Sequence, residues 1–259
     1  MKIPFHKYQA TGNDFVLIDN RSGHVVLSVE DVRKLCHRKF GIGADGLMLI
    51  ETHPTLDFSL VYYNSDGSQS LCGNGSRAAV AMAAALGMVK KRARFLAYDG
   101  EHEAELLPHG QIKLKMNPVA GVKQGGDTLF IHTGSPHHLQ WVADAEAVDV
   151  YREGRDIRYS ATYQPQGTNV NFIEPRDGAI AVRTYERGVE DETLSCGTGV
   201  TAAALAAHFR GYASPVTIKT RGGELSVAFE ANDKGGFDEI YLIGPAEKVF
   251  EGAITLPSR

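Results

Sequence analysis

The chain contains two copies of a short motif, Cys-Gly-x-Gly, and this internal repeat constrains the fold more than any other feature of the sequence. The first copy begins at Cys72 and the second at Cys196, 124 positions later. Each copy opens an alanine-rich segment, 76–86 or 200–210, that is followed by a glycine. Glycine is favoured just after a helix because that position often needs a positive φ. The repeat therefore predicts two halves of similar fold, each with one central helix.

Further pairs of segments keep the same order at nearly the same offset, which chance alone would rarely supply. They join 11–13 to 133–135, Gly43 to Gly167, and 64–67 to 185–188. We expect the halves to divide near Pro118, giving domains 1–117 and 118–247. The segment 248–259 is expected to return to the first domain as a strand.

Outside the two central helices, the halves are expected to be mostly strand. Apolar runs predict strands at 16–18, 47–50, 60–63, 170–173 and 180–183, and glycine-centred hairpins are predicted at 95–107 and 216–229. The central helices are apolar on nearly all sides, so we expect sheet to wrap around them. An extra helix is predicted over 29–39, because Ser28 followed by Asp31 approximates a capping box.

Composition and charge exclude several classes of protein. The 259 residues carry a net charge of −4, and no basic tract is longer than 90–92, so we expect no nucleic-acid partner. The chain has no apolar run of membrane-spanning length, and its first residues lack the apolar core of a signal peptide. Three scattered cysteines are too few for a secreted disulfide framework. We therefore expect a cytoplasmic protein without a membrane partner.

The two repeated cysteines point to acid–base chemistry. A helix N-terminus favours a bound carboxylate and also favours thiolate over thiol. Two such cysteines in equivalent positions suggest that two thiols act on opposite faces of one substrate carbon, one removing a proton and the other donating one. Repulsion between two thiolates predicts one thiolate and one thiol at a time. This chemistry requires no cofactor, and no lysine-based pyridoxal phosphate signature is evident.

Other roles for the cysteines stay open at this point. Cys72 and Cys196 could form a structural disulfide, or they could bind zinc with His137 or His138, although neither cysteine has a second ligand at the usual spacing. Cys36 shares a helical face with apolar residues and is expected to lie in the core. The Gly-x-Gly-x-x-Gly pattern at 41–46 is not a dinucleotide site, because a helix precedes it and an apolar strand follows.

From residue 11 to its C-terminus, the chain resembles the diaminopimelate epimerases, cofactor-independent enzymes that interconvert LL- and meso-diaminopimelate. The segments that carry the resemblance are 11–15, 41–46, 64–68, 72–75, 167–169, 185–188 and 196–199. The resemblance implies an α+β fold of two pseudo-symmetric domains, each a curled, mostly antiparallel sheet wrapped round a central helix. It also implies a small-molecule substrate, no metal and a possible homodimer.

The same resemblance implies roles for individual residues. Cys72 and Cys196 would be the two catalytic acid/base residues, and the backbone N–H groups of the two residues after each cysteine would hold the reacting carboxylate. The implied substrate-binding residues are Asn13, Asn64, Gly73, Asn74, Asn169, Glu186, Arg187, Gly197 and Thr198. A supporting role near the substrate is expected for His137 and for Ser135, where the family often has Asn. Gly46 is a second departure, since some members carry Gln there.

Three alternatives to this function are weighed from the sequence alone. A proline or hydroxyproline racemase-like enzyme would also use two cysteines, but it needs no Arg-Glu-Asn set for a distal amino-acid group, and its first motif usually has His where Asn74 stands. A phenazine-biosynthesis-type isomerase would not use this cysteine pair. A non-catalytic protein that binds a zwitterion would need the N–H groups but not the two sulfurs.

Overall fold

The chain divides into two compact units. The computed structural model describes residues 2–256. One unit runs to Leu114 and resumes at Gly244, and the other is Lys115–Ile243. The sequence placed these boundaries after 117 and 247. Residues just after Leu114 belong with the second unit, because Met116 N–H donates to the Ile240 carbonyl. Residues 257–259, the end of the predicted returning strand, lie outside the described residues.

Seventeen strands and four α-helices form the described part of the chain. In chain order they are β1 Lys2–Ala10, β2 Asn13–Asp19, α1 Val29–Cys36, β3 Gly46–Glu51, β4 Phe58–Asn64, α2 Gly73–Ala85, β5 Arg92–Ala97, β6 Gly100–Leu106, β7 Gln111–Lys115, β8 Lys123–Gly125, β9 Thr128–His132, β10 Pro136–Trp141, α3 Val150–Arg158, β11 Asn169–Arg176, β12 Ala179–Glu186, β13 Asp191–Thr193, α4 Gly197–His208, β14 Val216–Thr220, β15 Gly223–Ala231, β16 Phe237–Pro245 and β17 Glu247–Thr255. Within residues 2–256, no helix has the length and apolar character to cross a membrane.

The order of strand pairing is the same in the two units. In the first, β1–β2, β3–β4 and β5–β6 are antiparallel, while β2–β3 and β4–β5 are parallel. In the second, β9–β10, β11–β12 and β14–β15 are antiparallel, while β10–β11 and β12–β14 are parallel. The Cys-Gly-x-Gly helix precedes the second parallel strand in both units. The predicted α+β repeat is confirmed.

Each central helix is enclosed by strands of its own unit. Helix α2 packs against β1 to β4, β6 and β17, and α4 packs against β9 to β12, β14 and β15. Most residues of both helices are buried, and alanine is the commonest residue type among them. Small side chains let strands approach a helix on several faces at native packing density. This arrangement places the N-terminus of each helix at the ends of the surrounding strands.

Five helix boundaries differ from the sequence prediction. The ends differ little for α2, at Ala85 rather than 86, and for α4, at His208 rather than 210. Helices α2 and α4 begin three residues earlier than predicted, because Cys72 and Cys196 are themselves the N-caps. Helix α1 begins as predicted, with the Ser28–Asp31 capping box formed, but it ends at Cys36 rather than 39. Its end is fixed by tertiary structure, since Ile42 N–H folds back to the carbonyl of Leu35. Helix α3 was not predicted, because its sequence is mostly polar and short.

Candidate active site

In the first unit, Cys72 is held at the positive end of α2. Its sulfur accepts the N–H of Gly75 at 3.4 Å and lies 3.6 Å from Oδ1 of Asn13. The N–H groups of Gly73 and Asn74 belong to the first helical turn, where the backbone has no intrahelical acceptor. The helix terminus therefore offers N–H donors and a field that favours both a bound carboxylate and a thiolate.

The amide of Asn13 has a fixed orientation. Its Nδ2 donates to Oδ2 of Asp45 at 2.6 Å. Its Oδ1 therefore faces the sulfur of Cys72 and also accepts from Nδ2 of Asn74 at 3.4 Å. The structure thus brings three of the residues predicted from sequence into one contact group.

A group of four charges holds Asp45 in place. Arg38 pairs with Asp45 at 2.6 Å and with Asp14 at 2.7 Å, and buried Lys7 pairs with Asp14 at 2.6 Å. Burial alone would raise the pKa of Asp14, but hydrogen bonds from Arg38 and Lys7 outweigh it and lower that pKa to about 2. Two cations and two anions leave this group without net charge.

Asn64, at the end of β4, makes its contacts with a neighbouring turn. Its Nδ2 donates to Oγ of Ser68 at 3.0 Å and to Oγ of Ser70 at 3.1 Å. The backbone of Ser65 donates to the carbonyl of Asp45, which ties this turn to the loop that orients Asn13. Asn64 therefore lies on the Asn13 side of the unit.

In the second unit, Cys196 is the N-cap of α4 and is buried. Its sulfur lies 3.5 Å from Oγ1 of Thr198. That hydroxyl also lies 2.9 Å from Nε2 of His137 and 3.1 Å from Oγ of Ser135, and Ser135 lies 2.9 Å from the same His137 nitrogen. The two residues expected to have supporting roles therefore reach Cys196 through the hydroxyl of Thr198.

The protonation of His137 follows from its surroundings. Nδ2 of Asn171 donates to its Nδ1 at 3.1 Å, and burial lowers the pKa of His137 to about 3. The neutral ring consequently carries its proton on Nε2, an assignment made from the hydrogen-bond partners. When Nε2–H donates to Thr198, the threonine hydroxyl can donate to the sulfur of Cys196.

Asn169 connects this cluster to Arg187. Its Nδ2 donates to Oγ of Ser135 at 3.2 Å, and its Oδ1 accepts the backbone N–H of Arg187 at 2.8 Å. The Arg187 guanidinium donates to the carbonyl of Gln166 at 3.1 Å. Oε2 of Glu186 accepts from Oγ1 of Thr193 at 2.8 Å. The predicted residues of the second unit, with Glu186 next to Arg187 at the end of β12, thus lie around one hydrogen-bonded cluster.

Sequence reasoning missed two residues that support these groups. Asn171 is two positions after Asn169 on β11, and alternate strand residues share a face, so this spacing was the available signal. Asp45 lies within the 41–46 glycine pattern, which was weighed as a nucleotide motif and used as a marker of the family resemblance, without a role for Asp45 itself. The structure explains why position 46 is glycine in this chain: an added Cβ would lie 2.6 Å from Cε2 of Tyr62.

The alternative roles of the cysteines find no support. All three cysteines are free, and Cys36 lies in the core with Val32 and Leu35. Burial raises the pKa of Cys36 to about 12, so its thiol is unreactive. Across residues 2–256, no group of three or more His, Cys, Asp or Glu side chains is placed to hold a metal ion.

Comparisons with known proteins point to one enzyme family. The family model described as diaminopimelate epimerase matches residues 5–122 and 129–249. The diaminopimelate epimerase of Flavobacterium psychrophilum is 47% identical over 254 residues, covering 96% of this chain and 99% of that protein.

Solved structures are similar in fold at much lower identity. A phenazine biosynthesis protein of the PhzF family from Bacillus anthracis matches with a TM-score of 0.77 at 14% identity, covering 99% of this chain and 100% of that one. A hydroxyproline epimerase from Agrobacterium vitis matches with a TM-score of 0.72 at 14% identity, covering 98% and 92%. At such identity the similarity shows a shared fold and nothing about substrate.

Proposed function

The chain belongs to the diaminopimelate epimerase family, and on that basis we propose that it interconverts LL- and meso-diaminopimelate with Cys72 and Cys196 as its acid and base. It is an isomerase, and the reaction serves lysine and peptidoglycan-precursor synthesis. The single observation that carries the residue assignment is the matched position of the two thiols. Each is the N-cap of an α-helix that begins with Gly-x-Gly.

In the proposed reaction, one thiolate removes the proton from the α-carbon and the opposite thiol donates its proton to the other face of that carbon. The first sulfur ends as a thiol and the second as a thiolate, so proton and charge balance in each direction. The N–H groups of Gly73, Asn74, Gly197 and Thr198 would hold the α-carboxylate. Preorganised donors of this kind stabilise charge that develops on a carboxylate during proton abstraction.

The far end of diaminopimelate is a second amino-acid group, and the proposal assigns it a polar set. The Arg187 guanidinium would take the distal carboxylate through its fork of donors, and Glu186 would take the ammonium group. Asn13, Asn64 and Asn169 supply amide donors and acceptors. Their orientations support this assignment for two of them, since Asp45 fixes Asn13, and Ser135 with the Arg187 backbone fixes Asn169.

The rival functions are not favoured. The chain is 47% identical to a diaminopimelate epimerase over nearly its whole length, whereas the hydroxyproline epimerase shares only 14%. A distal Arg-Glu-Asn set has no use in a proline racemase. Retention of two thiols at helix N-termini also has no use in a protein that only binds a zwitterion.

The proposal has three further parts, which rest on the family resemblance. They are catalysis without pyridoxal phosphate, a cytoplasmic location and a homodimer. The first is checked by measuring activity in protein whose absorbance spectrum shows no pyridoxal phosphate band. The oligomeric state is checked by sedimentation of the purified chain.

The deciding experiment is deuterium uptake at the α-carbon of LL-diaminopimelate, in D₂O with reductant and no added cofactor, with L-proline as the matched control. Uptake together with formation of the meso isomer, for diaminopimelate alone, is the expected result. Uptake with proline alone would move the chain to the racemase class. No uptake with either substrate, from protein whose Cys72 and Cys196 label freely, would overturn the proposed function.

A further inference from the structure

Helix α2 carries a fully buried arginine that the proposed reaction does not yet use. Arg77 lies five residues after Cys72 and is 0% exposed. Its Nη2 donates to Oγ1 of Thr11 at 3.3 Å, while Nε and Nη1 have no hydrogen-bond partner within residues 2–256. Buried charges are normally paired, because leaving one unpaired costs several kcal/mol. A cation in this setting calls for a nearby anion.

The structure offers the sulfur of Cys72 as that anion. Arg77 contacts Thr11, and the Cys72 sulfur contacts Asn13, two residues further along the same turn. Burial lowers the pKa of Arg77 to about 10, and charge on Cys72 raises it. No carboxylate among the described residues has such an effect on Arg77. The guanidinium stays protonated at neutral pH, so a thiolate at Cys72 is the ionised state that balances it.

The second unit lacks this cation. Because the two cysteines are 124 residues apart, Thr201 is the residue of the second unit equivalent to Arg77. Thr201 is also fully buried, and it donates a hydrogen bond to the carbonyl of Gly197 at 2.9 Å. Around Cys196 the nearest hydroxyl is that of Thr198, and His137 behind it is neutral at its pKa of about 3. The charged groups at the end of β12 are Glu186 and Arg187, one of each sign.

We propose that Arg77 is a positioning residue that keeps Cys72 as the resting thiolate, which leaves Cys196 as the resting thiol. This inference rests on the proposed function, since it assigns the two proton states to the two proposed acid/base residues. The buried guanidinium and the helix terminus act in the same direction on Cys72. Asn13 acts against them, because its Oδ1 accepts a hydrogen bond from a thiol and not from a thiolate.

The remaining ionisable groups near α2 have hydrogen-bond or ion-pair partners or lie exposed. Lys7, Asp14, Arg38 and Asp45 form the neutral group described above. Lys2, at the start of β1, is exposed. The other charged groups on the strands that pack against α2 have these partners: Asp19 with Arg21, His6 and Lys248 with Glu251, Glu51 with Asn20, Glu101 and Glu103 with Arg94, His102 with Asp99, Glu105 with Lys91, and Glu247 with Gln9. Burial raises the pKa of Tyr8, so its phenol stays neutral at neutral pH. Arg77 differs from these groups because it is fully buried and two of its nitrogens have no hydrogen-bond partner within residues 2–256.

The test is the pH dependence of iodoacetamide alkylation, read for each cysteine by peptide mass spectrometry. Cys72 is followed in a Cys196→Ser background and Cys196 in a Cys72→Ser background, so that neither thiol alters the titration of the other. Cys36 is silent because its pKa is about 12. We expect the midpoint for Cys72 to lie below that for Cys196.

The variant Arg77→Gln removes the charge and retains a donor for Thr11. A nearby charge shifts a pKa by about 1–3 units, so we expect the Cys72 midpoint to rise by about one unit, with up to about tenfold slower alkylation at neutral pH. Arg77→Lys should restore part of the shift. The matched control Thr201→Ala, at the equivalent place in the second unit, should leave the Cys72 midpoint unchanged.

Two outcomes would overturn the inference. One is a Cys72 midpoint equal to or above that of Cys196 in proteins with Arg77 intact, a measurement that needs no substitution at Arg77. The other is an Arg77→Gln protein whose Cys72 midpoint does not move. Neither outcome touches the proposed function, because deuterium uptake by the unaltered protein tests that separately.

Discussion

Asn171 donates a hydrogen bond to Nδ1 of His137 at 3.1 Å, and this contact decides which imidazole nitrogen carries the proton. A 180° flip of the Asn171 amide would lose a hydrogen bond, because Thr184 donates to its Oδ1 at 2.9 Å. The proton of the neutral ring is therefore on Nε2, which faces Thr198. His137 can support Cys196 through that hydroxyl without competing for the proton that the two thiols exchange.

The low pKa of His137 predicts a specific dependence of stability on pH. The folded-state pKa of about 3 lies below the ordinary value of about 6.5, so folding favours the neutral ring. The resulting stabilisation is complete above about pH 6.5 and is lost as the pH falls toward 3. Urea unfolding of the unaltered protein should show a free energy that falls between pH 6 and 4 by about 1.4 kcal/mol per pH unit more steeply than in His137→Gln. His138 is present in both proteins, so its own titration cancels. Parallel slopes would contradict the assignment.

The glycines at the third position after each cysteine should differ in their tolerance of alanine. A Cβ at Gly199 would lie 2.4 Å from Oδ1 of Asn171, whereas a Cβ at Gly75 would lie 3.3 Å from Cε of Met48, a flexible side chain. Both substitutions gain the same helix propensity, so the difference isolates the collision. We expect Gly199→Ala to be less stable than Gly75→Ala by about 1–3 kcal/mol. Thermal and urea unfolding of the pair measure this, and equal stability would show that Asn171 can move aside.

The proposed two-base mechanism predicts that each active-site thiol is indispensable. Cys72→Ala and Cys196→Ala should each abolish interconversion of the diaminopimelate isomers while the protein stays folded. The control is Cys36→Ala, which removes a buried thiol outside the site and should keep activity while costing about 1 kcal/mol of stability, the scale of a small truncation in a core. Substantial activity in Cys196→Ala, measured by circular dichroism or by a coupled assay, would exclude the mechanism.

Arg187 is expected to act in binding more than in thiol chemistry. Loss of a charge-assisted hydrogen bond costs about 1.5–3 kcal/mol, so Arg187→Ala should raise KM for diaminopimelate by about 10- to 100-fold. The alkylation rates of Cys72 and Cys196 should change little. Arg176→Ala is the matched control, because Arg176 is in the same unit and pairs at the surface with Glu174 at 2.9 Å. An unchanged KM in Arg187→Ala would remove Arg187 from the substrate-binding set.

Several features of the fold could be predicted because they are set by local chemistry. Ser28 and Asp31 cap α1 as expected, since both partners of a capping box lie within four residues. The alanine-rich helices and the glycines that follow them were likewise predictable from short segments of sequence. The end of α1 was predicted three residues too late, because it depends on a loop that folds back onto Leu35 and Cys36.

The features of the candidate site likewise separate into those predictable from the sequence and those set by tertiary contacts. The sequence by itself determined where the two thiols lie, at the starts of two equivalent helices, and which family the chain belongs to. Only the tertiary structure decided the orientation of Asn13 by Asp45, the protonated nitrogen of His137, and the burial of Arg77. The physical reason is distance along the chain. A helix start depends on neighbouring residues, whereas the direction of an amide or the burial of a charge depends on contacts between residues more than thirty positions apart, which no short pattern encodes.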